Sequence, residues 1–137
     1  MNDYKHKYSL MEDSDIPTEI LEEYSNDIND YHRGLVAKHP RTSLKVLQKL
    51  SKDISSRVRA SVPKNLNVTV DILEELSDDV DFDVRGEVAL NPKTPSHVLE
   101  KLSNDKAPIV RWMVTKNPST SLEIIKKGWH NRNYRVV

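Results

Sequence analysis

Residues Asn91–Lys116 read NPKTPSHVLEKLSNDKAPIVRWMVTK, and the same order of residue types can be laid over the chain on both sides of them. Units beginning at Asp13, His39, Asn65, Asn91 and Asn117 follow one another 26 residues apart, with no insertion. One column holds Ile20, Val46, Ile72, Val98 and Ile124, and the next holds Leu21, Leu47, Leu73, Leu99 and Ile125. Three positions further on stand Tyr24, Leu50, Leu76 and Leu102. A fixed period of roughly 20–50 residues is the signature of a solenoid, in which each unit buries its apolar face only against its neighbours. The expected fold is therefore all-α, a solenoid of about five helix–turn–helix units.

These units are residues 13–38, 39–64, 65–90 and 91–116 and a truncated capping unit, 117–137. Together they form a single repeat domain, 13–137, behind an N-terminal tail, 1–12. In each unit a short first helix is expected, roughly Ser43–Ser51 or Pro95–Ser103, carrying a buried stripe such as Val46, Leu47 and Leu50. Thr42, Thr94 and Thr120 stand where an N-cap is wanted, with Pro95 at the first helical position. A second helix starts near Ser56, Phe82 or Pro108, and Val58/Val62, Val84/Val88 and Val110/Val114 repeat in it at i, i+4. The His-Pro or Asn-Pro of the next unit stops it, because the residue before proline is pushed out of the α region. Both α and 3₁₀ geometry are open for these second helices. Segments of about nine residues are marginal alone, so stacking must stabilise them.

The end units depart from the pattern. Gly128 and Trp129 replace the Leu-Ser pair of earlier units, and Trp129 is expected to fold over the last core layer. In the tail, Tyr4, Tyr8 and Leu10 either cover the first unit or belong to a disordered segment.

The polar columns are as regular as the apolar ones. Asp27, Asp53, Asp79 and Asp105 share a position, and six residues beyond each stands Arg33, Arg59, Arg85 or Arg111. Arginine suits bidentate contacts to phosphate, but one aspartate for each arginine favours structural pairing inside the turn. Read across Val84–Asp105, the signature VRxxVxxNPxTPxxxLxxLSxD resembles the leucine-rich-repeat-variant family and, more broadly, HEAT-like repeats. That resemblance implies a right-handed superhelix acting as an interaction surface, with the Asp and Arg columns forming a hydrogen-bonded ladder between units. Some members of the variant family carry a cysteine-ligated iron–sulfur domain, which a chain without cysteine cannot hold.

Composition excludes several functions. The absence of cysteine removes disulfides, thiol nucleophiles and thiolate metal sites. His6, His32, His39, His97 and His130 fall in different columns without ligand spacing, so no metal site and no cofactor are expected. No glycine-rich phosphate loop and no serine or threonine with a base partner point to catalysis. No apolar run approaches the ~20 residues of a membrane span, and residues 1–13 lack the apolar core of a secretory signal, which makes cytoplasmic location the expectation. The net charge of zero hides successive units of −5, +6, −7, +3 and +3, so neighbours complement one another or together present a patchwork to a charged partner.

One face stands out. Opposite the valines of the second helix lie Arg57, Ala60, Ser61 and Lys64 in the second unit, and Asp83, Gly86, Glu87 and Leu90 in the third. The fourth unit places Ile109, Trp112, Met113 and Lys116 there. On a face expected to be solvated, Ile109, Trp112, Met113 and Lys116, with Arg57 and Lys64, are candidate partner-binding residues. The alternatives are that residues 129–137 cover Trp112, or that Gly34, Ala60 and Gly86 in its column mark close helix packing. The expected function is a non-catalytic protein–protein interaction or scaffold module, such as an adaptor or an immunity protein facing a toxin nuclease. Nucleic-acid binding through basic units 39–64 and 91–137 is the second expectation, and the oligomeric state stays open.

Overall fold

The computed structural model describes the backbone of residues 8–136 and the side chains of residues 8–129. Among the described residues every regular element is helical. The chain forms two compact units that meet between Thr69 and Val70.

In the first unit, α1 covers residues 8–11, followed by α2 (Thr18–Tyr24), α3 (Asp30–Lys38), α4 (Leu44–Leu50) and α5 (Ser56–Ser61). The chain then tightens into a 3₁₀ turn, Val62–Lys64. Pro63 supplies the reason, because it has no N–H to continue the α ladder. The other second helices are fully α. Ile16, Leu21, Val36, Leu47, Leu50, Val58, Val62 and Val68 form the core of this unit. The tail joins it: Met11 is buried and the Tyr8 ring stacks on Tyr31, their centroids 6.3 Å apart. Tyr4 lies outside the described residues.

The second unit contains α6 (Val70–Leu76), α7 (Phe82–Leu90), α8 (Ser96–Ser103), α9 (Pro108–Lys116) and α10 (Leu122–Val136). Its core gathers Leu73, Leu76, Val84, Val88, Val98, Leu99, Leu102, Val110 and Val114. The expected valine and leucine columns are thus the buried ones. The C-terminal segment differs from expectation. Without the Leu-Ser-x-Asp turn of earlier repeats, Leu122–Val136 runs on as one helix, and Trp129 on it is 57% exposed rather than sealed over the last layer.

The caps correct another expectation. Ser43, not Thr42, caps α4, accepting from Val46 N–H at 3.2 Å. Pro95 sits at the cap position of α8, one residue before the helix. Thr42, Thr94 and Thr120 instead donate to the Val36, Val88 and Val114 carbonyls at 2.5, 2.6 and 2.7 Å. Each hydroxyl therefore closes the end of the preceding helix, where carbonyls lack intrahelical partners.

Candidate functional site

The two polar columns meet in a defined geometry. Each column aspartate turns its Oδ1 back onto the N–H two residues ahead: Asp27 to Asn29 at 2.8 Å, and Asp53 to Ser55, Asp79 to Asp81 and Asp105 to Ala107 at 2.9 Å. This local bond shapes the turn that launches the second helix. The arginine six residues on reaches back to the same turn through its backbone. Arg33, Arg59 and Arg85 donate from Nη1 to the carbonyls of Asp27, Asp53 and Asp79 at 2.8 Å, and Arg111 to that of Asp105 at 2.6 Å.

With Nη1 so anchored, the Nε/Nη2 edge points to the following repeat. In the first unit Arg33 grips Asp53 with both donors, at 2.9 and 3.0 Å. In the second, Arg85 grips Asp105 the same way, at 2.8 and 3.0 Å. For Arg33 and Arg85 the carboxylate partner is therefore the next repeat's aspartate, and the expected pairing within one turn is replaced by a carbonyl contact. Burial pushes the Asp53 and Asp105 carboxyls up, but the arginine and the backbone N–H together outweigh it and hold both below the ordinary aspartate value of 3.8. The same pairing raises Arg33 and Arg85, keeping them charged.

A second set of rungs was invisible in the residue pattern alone. His39, Asn65 and Asn117, the first residues of their repeats, are buried and tie back 26 residues. Asn65 Nδ2 donates to the Ala37 and His39 carbonyls, both at 2.9 Å, and Asn117 Nδ2 to those of Ala89 and Asn91 at 2.7 and 2.8 Å. Their Oδ1 atoms accept from Asn67 and Ser119 N–H at 2.8 Å. His39 reproduces this with an imidazole: Nδ1 accepts from Arg41 N–H at 3.0 Å, which leaves Nε2 to donate to the Asp13 carbonyl at 2.9 Å. The His39, Asn65, Asn91, Asn117 column ends the preceding helices, and the pattern did not show that His39, Asn65 and Asn117 also cross-link repeats. Lysines add another tie, with Lys49 reaching Ser25 at 2.8 Å and Lys101 reaching Ser77 at 2.6 Å.

Surface ionisable side chains also approach one another between consecutive repeats within each unit. Lys45 lies 3.9 Å from Glu22, Arg57 3.9 Å from Asp30, His97 3.1 Å from Glu74, Lys101 2.8 Å from Asp78 and Lys127 3.4 Å from Glu100. The alternating unit charges are spent in part on one another. Each exposed pair is worth little, about 0–1 kcal/mol. Among the described residues no group of three His, Asp or Glu side chains could hold a metal ion, and no helix is long and apolar enough to cross a membrane.

The candidate binding residues fall in different places. Arg57 and Lys64 are exposed in the first unit; Ile109, Trp112, Met113 and Lys116 belong to the second. Trp112 is 54% exposed, and the Lys116 ammonium sits 5.0 Å from its ring centroid, in cation–π range. Ile109 is exposed beside it, while Met113 is half-buried. The expectation of a solvated face needs correcting here. Ser61 and Gly86 on that face are buried. A Cβ added at Gly86 would collide with Met113 Sδ, and one at Gly34 would come within 3.2 Å of Ser61 Oγ. Glycine at these two positions lets successive second helices approach closely.

Among the described residues, the most exposed large apolar side chains gave no sign of themselves in the sequence. The residue after the column aspartate is Ile28, Ile54 or Val80, and these are 99%, 94% and 91% exposed. Periodicity hid them, since they lie in turns and outside any helical stripe. No family model, curated protein or solved structure matches the chain.

Proposed function

We propose that this chain is a non-catalytic protein-binding module, a right-handed α-solenoid of the leucine-rich-repeat-variant or HEAT-like kind, serving as an adaptor or immunity protein. The observation that carries the reading is the display of Ile28, Ile54 and Val80, each nearly fully in water at the same position of a hydrogen-bonded turn. An apolar side chain gains nothing for folding at such a position, whereas an ordered turn presents it at low entropic cost to a partner. The solenoid reading is supported by the unbroken 26-residue period and by like rungs in both units, Arg33–Asp53 and Arg85–Asp105. The buried Asn65, Asn117, Thr42 and Thr94 side chains are committed to backbone carbonyls, which suits a structural framework better than a reaction centre.

The test is quantitative recovery of co-purifying proteins from the native host with the parent chain and with the triple variant Ile28→Ser, Ile54→Ser, Val80→Ser. Because the three side chains are exposed, the variant should keep the parent melting temperature and lose its partner. Equal recovery would refute the reading. So would salt-sensitive binding of duplex or single-stranded DNA or RNA at ~50 mM salt, the mark of phosphate contacts.

A further inference from the structure

The Arg33 and Arg85 rungs define what the Nε/Nη2 edge of a column arginine holds when its Nη1 rests on the preceding aspartate carbonyl: one carboxylate, gripped by two parallel bonds. Arg111 is anchored identically, through Asp105 O. The next member of the acid column is Asn131, whose amide carries no charge. Among the described residues no acceptor meets the Nε/Nη2 edge of Arg111. The side chain is half-buried and lines a shallow cavity of about 270 Å³ with Pro108, Trp112 and Thr115. Lys116 stands over the Trp112 ring, and residues 91–116 carry a net charge of +3.

From this geometry we infer that Arg111 is the seat for an aspartate or glutamate carboxylate of a protein partner, whose neighbouring apolar side chain rests on Trp112. The assignment deepens the protein-binding reading and rests on it. Three things argue for an acidic segment as the occupant. The fork is held in the posture that grips a carboxylate elsewhere in the same chain. Its surroundings are cationic. The adjoining wall is aromatic, and an amphipathic ring offers contact area with little entropy to lose. Guanidinium–carboxylate pairing is bidentate and directional, so a lysine at the same place cannot replace it.

The experiment uses the full chain with ¹⁵N-labelled arginine and follows the Nε–Hε resonances at ~50 mM salt, where surface charge pairs are only partly screened. The probe is a capped hexapeptide alternating Asp and Leu, with an Asn/Leu twin as control. The Asp peptide should shift Arg111 and leave Arg33 and Arg85 in place. The Asn twin and the Arg111→Lys variant should each bind roughly tenfold more weakly, as expected when a charged bidentate pair is lost. Equal binding of the twin, equal binding by Arg111→Lys, or no Arg111 shift up to about 10 mM peptide (the mM range being where even a weak specific contact registers) would overturn the assignment. A concentration-dependent dimer dissolved by both Arg111→Gln and Asp27→Asn would overturn it too, by placing a second copy in the seat. Failure here leaves the protein-binding reading to its own test on Ile28, Ile54 and Val80, so the two can fail separately.

Discussion

α7 (Phe82–Leu90) and α9 (Pro108–Lys116) are the same helix written twice, and they end up with different surroundings. Both bury two valines on one side and both carry, at the fourth position, an arginine that holds its own turn's carbonyl. In α7 the rest of that arginine grips Asp105, and Gly86 takes the Met113 side chain against its backbone. In α9 the equivalent arginine edge meets no acceptor among the described residues, and the equivalent of Gly86 is a half-exposed tryptophan. One code therefore produces a closed junction at α7 and, among the described residues, an open, cationic and aromatic surface at α9, where the pattern changes.

Removing the arginines should separate the two helices most sharply. Arg85→Met strands the Asp105 carboxylate in a site where both side chains are 8% exposed, and should cost about 3–5 kcal/mol in urea unfolding. Arg111→Met loses one hydrogen bond to a carbonyl and should cost about 1 kcal/mol. Equal losses would mean that Arg111 is a structural rung like the others.

Acid should release the closed junctions late, after carboxylates with ordinary values have taken up their protons. Asp53 and Asp105 titrate lower in the folded chain than in the unfolded one, so their stabilising contribution is complete above the ordinary value of 3.8 and is lost as pH falls through the lower folded values. Stability measured from pH 6 down to about pH 2 should fall through that range, and Asp105→Asn should flatten part of the fall while lowering stability near neutrality. An unchanged slope in Asp105→Asn would show that other carboxylates govern acid unfolding.

Trp112→Ala should have a modest effect on stability, well below that of Arg85→Met. Fully buried tryptophans cost about 3–5 kcal/mol on truncation, and one that is half in water should cost less than about 2. A loss in the upper range would make Trp112 a packing residue and take the aromatic wall away from the proposed seat.

Much of the framework was legible because it depends on local period. Leu47, Leu50, Val84, Val88, Leu99 and Val114 recur at helical spacing, and they are buried. The starts of the second helices at Ser56, Phe82 and Pro108 were equally readable, since each follows the turn built by a column aspartate. Thr42 and Thr94 misled because Ser43 and Pro95, one residue later, occupy the cap position and leave the threonine hydroxyls to the previous helix. Ile28, Ile54 and Val80 gave no signal as surface, because a β-branched residue in a turn reads as core until its exposure is measured.

By itself the sequence determined that helices form, which of their residues are apolar, and that Asp and Arg recur in register. Only the tertiary structure decided that Arg33 and Arg85 reach 20 residues ahead to Asp53 and Asp105 rather than six back to a carboxylate. It also decided that Asn65 and Asn117 tie repeats together and that the Arg111 edge is left open among the described residues. The physical reason is that period and propensity act along the chain, whereas a hydrogen-bond partner is chosen by distance in space. An aspartate whose Oδ1 accepts its own turn's N–H can still offer both oxygens, Oδ1 and Oδ2, to the guanidinium that the preceding repeat brings within reach.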